Sequence, residues 1–372
     1  MQRTFTISVC CVSALILSAP VHAKRLVDCN RGESLASAVA RADDADTIVF
    51  TGTCNGPILI DRDRITLQGQ GAAVIDGRQQ NAVTVRGAQN VKLTNLEVRN
   101  GLMGILLESQ ANAALENIVT HENAVSGLDI ENTSSATLRG QFTSEDNRVF
   151  GINVNAGSSL TISRAQVLLQ RNVLGIQLGT GASAFLTDAN AVITAANNFS
   201  TGLTVVSGSH LVSFSGMITA HDNGRNGVSV NSKAGLDLDA ASILESYRNG
   251  GHGVQLAESS VMTLFNTAGF SGVPGNTTIK SHDNAGNGVA ILLGSNLTMV
   301  NQVVMETQNN VGNGVQVDNG SSATLLNASV SGNHPDVSLA FGARSDIRRS
   351  SVGTMTCDAT VLSRGDVVCP AP

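Results

Sequence analysis

Residues 281–295 read SHDNAGNGVAILLGS, a polar turn with an Asn at its centre, followed by a Gly that opens an alternating apolar run. An Asn followed three or four positions later by a Gly and an apolar run recurs through most of the chain. Its copies are centred on Asn100, Asn123, Asn147, Asn172, Asn198, Asn223, Asn249, Asn284, Asn310 and Asn333. Their spacings are 23, 24, 25, 26, 25, 26, 35, 26 and 23 residues, a periodic array with one insertion. A fixed period of this length is typical of a solenoid.

Within each copy the apolar residues alternate with polar ones in short runs such as GVSV at 227–230 and LDLD at 236–239. This period indicates strands with one face buried and one face in water. Each repeat divides into three short strands joined by turns, and stacked repeats pair their strands in parallel. The sequence therefore predicts an all-β, single-domain, right-handed parallel β-helix of about 11 to 12 coils.

Residues 1–23 have the layout of a secretory signal peptide: Arg3, then an apolar run, then VHA before an expected cleavage after Ala23. The apolar run is too short to span a bilayer, so the sequence predicts no transmembrane segment and an exported protein, periplasmic or secreted. We expect an N-terminal cap at 24–56, the β-helix at 57–355 and a C-terminal cap at 356–372.

The four cysteines outside the signal peptide lie near the ends of the chain, Cys29 with Cys54 and Cys357 with Cys369. An even number of cysteines in an exported chain suggests disulfides, and we expect one bridge within each end. A metal or redox site would need closer spacing or nearby histidines. Residues 34–42, SLASAVARA, predict a short amphipathic helix that covers the open end of the solenoid and prevents edge-to-edge pairing.

Composition narrows the choice of partner. The formal net charge of −6 and the lack of a concentrated basic face argue against nucleic acid. Trp is absent and Tyr247 is the only Tyr, so few aromatic faces are available to stack against a sugar.

The segment DTIVF after the expected helix, then ITLQGQGAAVIDG at 65–77, then the Asn-containing repeats resemble the pectin-lyase-like superfamily of right-handed parallel β-helix proteins. The resemblance covers roughly residues 26–355. It implies the fold, but members of this superfamily include pectate lyases, polygalacturonases, alginate lyases and epimerases, tailspikes and non-catalytic adhesins. The fold alone therefore leaves the function open.

In such proteins a stacked ladder of Asn side chains inside a turn satisfies the backbone of neighbouring coils, so the Asn column is expected to be structural. The residues that precede each Asn are more informative. Those five and three positions before it are apolar or small and are expected to face inward. Those four and two positions before it are expected to face outward, and from the sixth repeat onward they are Thr219, Glu245, Lys280 and Glu306, and His221, Tyr247, His282 and Gln308.

Because neighbouring coils lie about 4.8 Å apart, these outward side chains are expected to form a flat patch on one face. The long insertion at 266–277 falls between Tyr247 and His282 in sequence and is expected to bulge beside this patch. Loops on rigid scaffolds often wall a binding site. The patch is therefore the candidate site, against the alternative of an ordinary solvated sheet face.

The residue types in the patch favour β-elimination from a uronate. That reaction needs a cation to neutralise the carboxylate, a base to take the C5 proton and an acid for the leaving oxygen. Lys280 or Arg248 is the candidate cation, His221 or His282 the candidate base and Tyr247 the candidate acid. A C5-epimerase would use the same groups.

Glycoside hydrolysis needs two carboxyl groups, and Glu245 and Glu306 are the candidates. Two coils apart, they are expected to be separated by about 9 to 10 Å, at the upper edge of the range for inverting enzymes. Calcium would need several converging carboxylates, and Asp237 and Asp239 on one strand are too few, so no cofactor is predicted.

Two short motifs add little to this choice. The GGHG at 250–253 resembles one polygalacturonase element, but the paired-Asp motifs expected upstream are missing, and DIRR at 346–349 stands where RIK is expected. The NHPD at 333–336 is similar to the DPHD element of alginate epimerases, but it is altered and lies in a late coil.

The overall prediction is an exported protein that binds a periplasmic or extracellular acidic polysaccharide and cleaves or epimerises it. The alternative is a non-catalytic carbohydrate-binding or adhesive rod, which the lack of Trp and of a complete catalytic signature favours.

Overall fold

The structure, a computed structural model, describes residues 24–267 and 275–369. The predicted signal peptide, the middle of the predicted insertion and the last three residues lie outside the described residues. In the described part, parallel strands stack into two sheets that wind together as a solenoid.

The smaller sheet contributes one short strand per coil. Its 13 strands within the described residues are Ile58–Ile60, Val83–Arg86, Met103–Glu108, Ser126–Ile130, Phe150–Val154, Leu174–Leu178, Leu203–Val205, Val228–Val230, Val254–Leu256, Val289–Ile291, Val315–Val317, Val337–Leu339 and Met355–Cys357. The described residues thus form 13 coils, slightly more than predicted. The Asn pattern marks only ten of them, because the first two coils and the last lack it.

The larger sheet supplies the rest of each coil. Its 22 strands within the described residues are Lys24–Asp28, Thr47–Asn55, Thr66–Asp76, Val91–Arg99, Asn112–His121, Ser135–Glu145, Ser159–Gln170, Ser183–Leu186, Val192–Ala196, His210–Phe214, Met217–His221, Gly235–Asp239, Ile243–Tyr247, Val261–Leu264, Thr277–His282, Asn296–Met299, Val303–Gln308, Ser322–Leu326, Ala328–Ser331, Arg344–Arg348, Ser351–Val352 and Leu362–Gly365. One long strand per coil up to Gln170 is replaced by two shorter strands in later coils. Lys24–Asp28 and Thr47–Asn55 lie within the predicted N-terminal cap, and Leu362–Gly365 lies within the predicted C-terminal cap.

Inward-facing aliphatic side chains from every coil form one continuous core. The inward positions predicted beside the candidate site are confirmed. Ile218, Leu244, Ile279 and Met305 are all fully buried, and so are Ala220, Ser246 and Ser281. Burial of a large aliphatic side chain contributes about 1.5–3 kcal/mol, and the solenoid repeats this contribution at each coil.

The buried Asn residues form a continuous hydrogen-bonded ladder. The Asn249 backbone N–H and side-chain amide both donate to Asn284 Oδ1, at 3.1 and 3.0 Å, and the amide also donates to the Ala220 carbonyl at 3.0 Å. The same pattern links each Asn to the next from Asn123 to Asn333, and Asp336 accepts the last pair of bonds. These amides satisfy buried backbone groups, so the ladder is structural.

Asn100 is not part of this ladder, which corrects the sequence interpretation. Its φ of 54° places it in the left-handed turn that precedes the ladder position in the other coils. Gly101 occupies the ladder position, and its N–H donates to Asn123 Oδ1 at 2.9 Å. The Asn100 side chain instead donates to Asp76 Oδ2 at 2.9 Å. The shift changes the spacing to the next repeat by only one residue, so the repeat spacing does not reveal it.

Gly253, four residues after Asn249, shows why packing requires a glycine at this position of the repeat. A Cβ at this position would overlap Ser281 Oγ and the Gly288 carbonyl of the next coil. The Ser281 hydroxyl donates to that carbonyl at 2.7 Å, so the glycine leaves room for a hydrogen bond within the turn of the next coil.

Both ends of the solenoid are braced as predicted. An α-helix at Leu35–Ala40 begins at Ser34, whose Oγ accepts from Ser37 N–H, and it buries Leu35, Ala38 and Val39. A 3-10 helix at Cys29–Arg31 precedes it. The disulfides Cys29–Cys54 and Cys357–Cys369 confirm the predicted pairing. No helix within 24–267 and 275–369 is long and apolar enough to cross a membrane.

Candidate functional site

Three rings stack along the outer face of the larger sheet. His221, Tyr247 and His282 occupy the same position in consecutive strands and are paired in register. The ring centroids lie 4.8 Å apart for His221 and Tyr247, with an interplanar angle of 5°, and 5.1 Å apart for Tyr247 and His282, with an angle of 1°. The coil spacing of about 4.8 Å is close to the best distance for stacked rings. We call these three residues the ring stack.

A carboxylate fixes the orientation of each imidazole. His221 Nδ1 lies 2.7 Å from Asp222 Oδ2, and His282 Nδ1 lies 2.7 Å from Asp283 Oδ2. A carboxylate only accepts, so Nδ1 of each ring carries a proton, and in the neutral ring the lone pair is on Nε2. Asp222 and Asp283 can reach back because their φ angles of 55° and 56° start a tight left-handed turn.

Arg248 closes the stack from the side. Its Nε and Nη2 donate to both oxygens of Asp222, at 2.8 and 2.7 Å, and its Cζ lies 4.7 Å from the centroid of the Tyr247 ring. The hydrogen bond from Arg248, and then that from His221, lowers the pKa of Asp222 to about 2. Arg248 is therefore engaged on two sides, so it is a poorer candidate for binding a substrate carboxylate than the sequence suggested.

The second predicted column lies beside the ring stack. Glu245 pairs in register with Lys280, and Lys280 with Glu306. Lys280 Nζ lies 3.9 Å from Glu306 Oε2, and His282 Nε2 lies 3.7 Å from Glu245 Oε1. Both contacts are longer than a hydrogen bond, and the Lys280 side chain is 44% exposed. Lys280 is thus a cation that a ligand can reach.

The remaining members of the two columns are less engaged. Gln308 pairs with His282 in register and ends the column of rings. Thr219 pairs with Glu245 and is only 8% exposed, so it contributes little to the outer surface. The structure thus brings together all seven residues predicted to carry the chemistry, and their roles remain predictions.

The described parts of the insertion contact a different neighbour. Thr267 donates through its N–H and its hydroxyl to the two oxygens of Asp239, both at 2.7 Å. Asn266 donates to the Gly275 carbonyl at 2.8 Å. Residues 268–274 lie outside the described residues, so a wall beside the ring stack remains a prediction. Asp237 instead lies 2.9 Å from His210 Nε2, so the two carboxylates do not converge on one point.

The GGHG motif has a structural role. His252 N–H donates to Asn226 Oδ1 at 2.9 Å, and Asn287 N–H donates to His252 Nδ1 at 3.0 Å. Asn313 N–H donates in turn to Asn287 Oδ1 at 2.8 Å. Burial lowers the pKa of His252, which keeps the ring neutral and able to accept. This histidine replaces an Asn in a second ladder along the turn.

The NHPD motif also serves the scaffold. Asp336 is 3% exposed, and its carboxylate accepts from Asn333 and from both the N–H and the hydroxyl of Thr354. These hydrogen bonds hold its pKa below the usual range against the opposing effect of burial. Asp336 therefore ends the Asn ladder.

The sequence interpretation missed a row of charges on the same column. Asp76, Arg99, His121 and Glu145 precede the ring stack in register, at the outward position of earlier coils. Arg99 contacts Glu97 at 3.3 Å and Asp76 at 3.7 Å, His121 Nε2 lies 3.0 Å from Glu97, and Arg171 binds Glu145 and Asp146 at 2.7 and 2.8 Å. We call Asp76, Arg99, His121 and Glu145, together with their partners Glu97, Asp146 and Arg171, the charged ladder. His121 and Glu145 lie two positions before Asn123 and Asn147, so strand alternation already predicts that they face outward. Only Arg99 requires the shift of the Asn100 coil by one residue.

A cavity of about 570 Å³ lies away from the ring stack, near the C-terminal end. Its lining includes Arg344, Asp346 and Arg364. Asp346 accepts from Arg348 at 2.8 and 2.9 Å and from Arg364 at 3.0 Å, so the DIRR segment braces the last coils. None of the predicted site residues lines this cavity.

The family model described as right handed beta helix region matches residues 81–243. This match agrees with the observed stack of parallel coils. The chain is a right-handed parallel β-helix. No match was found among curated protein sequences.

This β-helix is also similar in outline to several solved structures. The A-module of the Azotobacter vinelandii mannuronan C-5 epimerase AlgE4 has 14% identity and a TM-score of 0.42, over 89% of this chain and 88% of that chain. The periplasmic alginate epimerase AlgG has 12% identity and a TM-score of 0.39, over 91% and 82%. An alginate lyase from Paenibacillus sp. str. FPU-7 has 13% identity and a TM-score of 0.33, over 91% and 99%. At scores this low, these similarities carry no argument about activity.

Proposed function

We propose that this β-helix binds an acidic polysaccharide at the ring stack and acts on its uronate units by β-elimination. The observation that carries this proposal is the position of Tyr247. Its ring is held between two oriented imidazoles, and the cation Lys280 lies on the neighbouring strand. An acid, a base and a cation are therefore fixed on one outer face, the set that the reaction needs.

Lys280 neutralises the substrate carboxylate in this proposal. Its contact with Glu306 is 3.9 Å long and exposed, so a carboxylate of the polymer can displace it at little cost. Arg248 is already bound through two hydrogen bonds to Asp222 and positions His221 through that carboxylate.

His282 takes the proton from C5. It lies two residues after Lys280 on the same strand, and therefore on the same face, which suits a proton adjacent to the bound carboxylate. Asp283 holds the Nδ1 proton, so the lone pair on Nε2 is the acceptor. His221, two rungs away, holds the other face of Tyr247.

Tyr247 donates to the leaving oxygen. As Nε2 of His282 takes the C5 proton, the electron pair of that C–H bond forms the C4–C5 double bond. The C4–O bond breaks, and its oxygen receives the phenolic proton. An epimerase would use the same abstraction, but would return a proton to the opposite side of C5 without breaking the C4–O bond.

Two alternatives have weaker support. For glycoside hydrolysis, Glu245 and Glu306 are separated by the Lys280 rung, and each already has a cationic or imidazole neighbour. For a non-catalytic rod, the supporting observation is that the stacked rings cover one another's faces, so mainly their polar edges remain to bind a sugar. We also propose that the protein acts outside the cytoplasm, which its two disulfides support.

The test is to incubate the purified protein with alginate and with polygalacturonate and to follow the ultraviolet absorbance of the conjugated unsaturated product. We expect one polymer to give a rise. Incorporation of solvent deuterium at C5 without that rise would identify an epimerase. Binding without either signal would favour the non-catalytic rod, and no binding to any uronate polymer would overturn the proposal.

A further inference from the structure

The row of outward side chains is interrupted at one coil between the charged ladder and the ring stack. Ala196 pairs in register with Gln170 on one side and with His221 on the other. Its methyl group is the smallest side chain between Asp76 and Gln308 in this column. The interruption therefore lies next to His221, on the side of the coil that precedes it.

The side chains on the far side of this interruption turn away from it. Gln170 donates to Glu145 Oε2 at 2.6 Å, and Arg171 binds Asp146 and Glu145 at 2.7–2.9 Å. All of these partners belong to the preceding coil. The charged ladder therefore ends by pairing internally, and it does not bridge to His221.

A cavity of about 300 Å³ lies beside the interruption. It is lined by Gln141, Thr143, Gln166, Val167, Leu168 and Thr194. Its volume is at the lower end of the range of about 300–1,000 Å³ that is typical of small-molecule sites. The lining contains amides, hydroxyls and aliphatic groups and no charged residue. Such a lining suits the hydroxyl groups and apolar ring edge of a sugar better than its carboxylate.

Register places this cavity next to the ring stack. Thr194 pairs with Thr219, and Thr219 lies on the strand that ends at His221. The distance along the solenoid from Thr194 to the Glu245 and Lys280 rungs is two to three coil spacings of about 4.8 Å. A polymer that lies along the solenoid with one unit at Tyr247 therefore also passes over Thr194, about two coil spacings away.

We infer that this cavity, bounded by Gln141, Gln166 and Thr194, is a subsite for one sugar ring of the polymer that binds at the ring stack. The ring is bound through its hydroxyl groups. This inference rests on the proposed function and adds to it a direction for the chain and a second binding position.

The test uses Thr194→Phe, which fills the cavity, with Thr263→Phe as the matched control. Thr263 is also an outward, half-buried residue in the middle of a strand of the larger sheet, but its register partners are Asp237 and Thr298, away from the cavity. Dissociation constants are measured for a series from di- to hexasaccharides prepared from alginate and from polygalacturonate.

We expect the wild-type protein and Thr263→Phe to bind the longer oligosaccharides about tenfold more tightly than the shortest ones, the equivalent of about 1.4 kcal/mol. In Thr194→Phe this ratio should fall toward one. The double variant Gln141→Ala and Gln166→Ala, which removes side chains without adding bulk, should lower the ratio in the same direction. It also serves if Thr194→Phe does not fold, as judged by circular dichroism.

Two outcomes would overturn the inference, and they are distinguishable. If the wild-type protein binds the series and Thr194→Phe keeps the same gain with length, the subsite is wrong while the proposed function stands. If the wild-type protein binds none of the oligosaccharides, the proposed function fails and the subsite fails with it.

Discussion

The charged ladder and the ring stack occupy the same backbone position in two halves of one solenoid. In the first half, Arg99 lies between Asp76 and Glu97, and Arg171 between Glu145 and Asp146, so opposite charges pair within the ladder. In the second half, the rings stack and one carboxylate orients each imidazole. The backbone position and the spacing between coils are the same in the two columns, and the outward side chains differ.

The difference lies in what the side chains leave available. Paired charges use their hydrogen-bonding groups on one another and contribute little to stability at an exposed surface. Stacked rings use their faces and keep their edges, so the edge atoms of the rings are left to contact a ligand in the proposed function. A parallel β-helix aligns any outward column, and side-chain type then decides whether that column is a brace or a site.

The strongest change that we expect is a loss of activity, and only substitutions in the ring stack should cause it. Tyr247→Phe should lower uronate turnover by about 10² to 10⁴-fold, because it removes the acid while retaining the stacked ring. The corresponding change in the charged ladder, His121→Ala, should leave turnover unchanged. The measurement is the rate of unsaturated product formation for both variants. Equal rates for Tyr247→Phe and the wild-type protein would exclude the assigned role of the phenol.

The next largest effect should be the same in both halves, because the Asn ladder runs beneath each of them. Asn147→Ala and Asn249→Ala each remove a buried amide and leave several polar groups of neighbouring turns without partners. We expect a loss of about 2–4 kcal/mol in the free energy of unfolding for each variant, measured by denaturant titration. Asn100→Ala, outside the ladder, is the control and should lose less than about 1 kcal/mol.

A third effect concerns pH and distinguishes the halves again. Asp129, in the first half, is 1% exposed, and its burial raises the pKa of its carboxyl to about 7. The folded state thus holds a proton that the unfolded state loses above about pH 4. Stability should therefore fall as the pH rises from about 4 to 7. Asp129→Asn should remove this slope and stabilise the protein by up to about 4 kcal/mol at pH 8.

Asp222, beside the ring stack, makes stability change with pH in the opposite direction. Because Arg248 lowers the pKa of Asp222 to about 2, the charged form stabilises the folded protein above about pH 4, and this contribution is lost as the pH falls toward 2. Thermal midpoints of the wild-type protein, Asp129→Asn and Asp222→Asn across this range would separate the two contributions. An unchanged slope from pH 4 to 7 in Asp129→Asn would show that another group causes it.

The smallest effect tests the interpretation of the charged ladder. The side chain of Arg171 is 44% exposed although it makes three hydrogen bonds to Glu145 and Asp146. Arg171→Gln should lower the free energy of unfolding by less than about 1 kcal/mol, and the loss should shrink further in high salt. A loss of several kcal/mol would mean that the ladder is a main element of stability.

The sequence predicted the β-helix and the alignment of His221, Tyr247 and His282 because both depend on the repeat length and on strand alternation. It placed Asn100 wrongly, because a Gly at the expected distance does not show whether the turn has shifted by one residue. Arg99 was missed for the same reason, whereas His121 and Glu145 follow from the position two residues before Asn123 and Asn147. The hydrogen bonds from Arg248 to Asp222 depend on side-chain conformation and turn geometry, and the repeat period predicts neither.

Binding of a polysaccharide at the ring stack can be measured directly through Tyr247. The chain has one Tyr and no Trp, so its tyrosine emission comes from the ring stack alone. The emission is followed while uronate oligosaccharides are added, with calorimetry in parallel. We expect a saturable change in emission with the same dissociation constant as the heat of binding, and the change should persist in His121→Ala. Binding measured as heat without any change in tyrosine emission would contradict it.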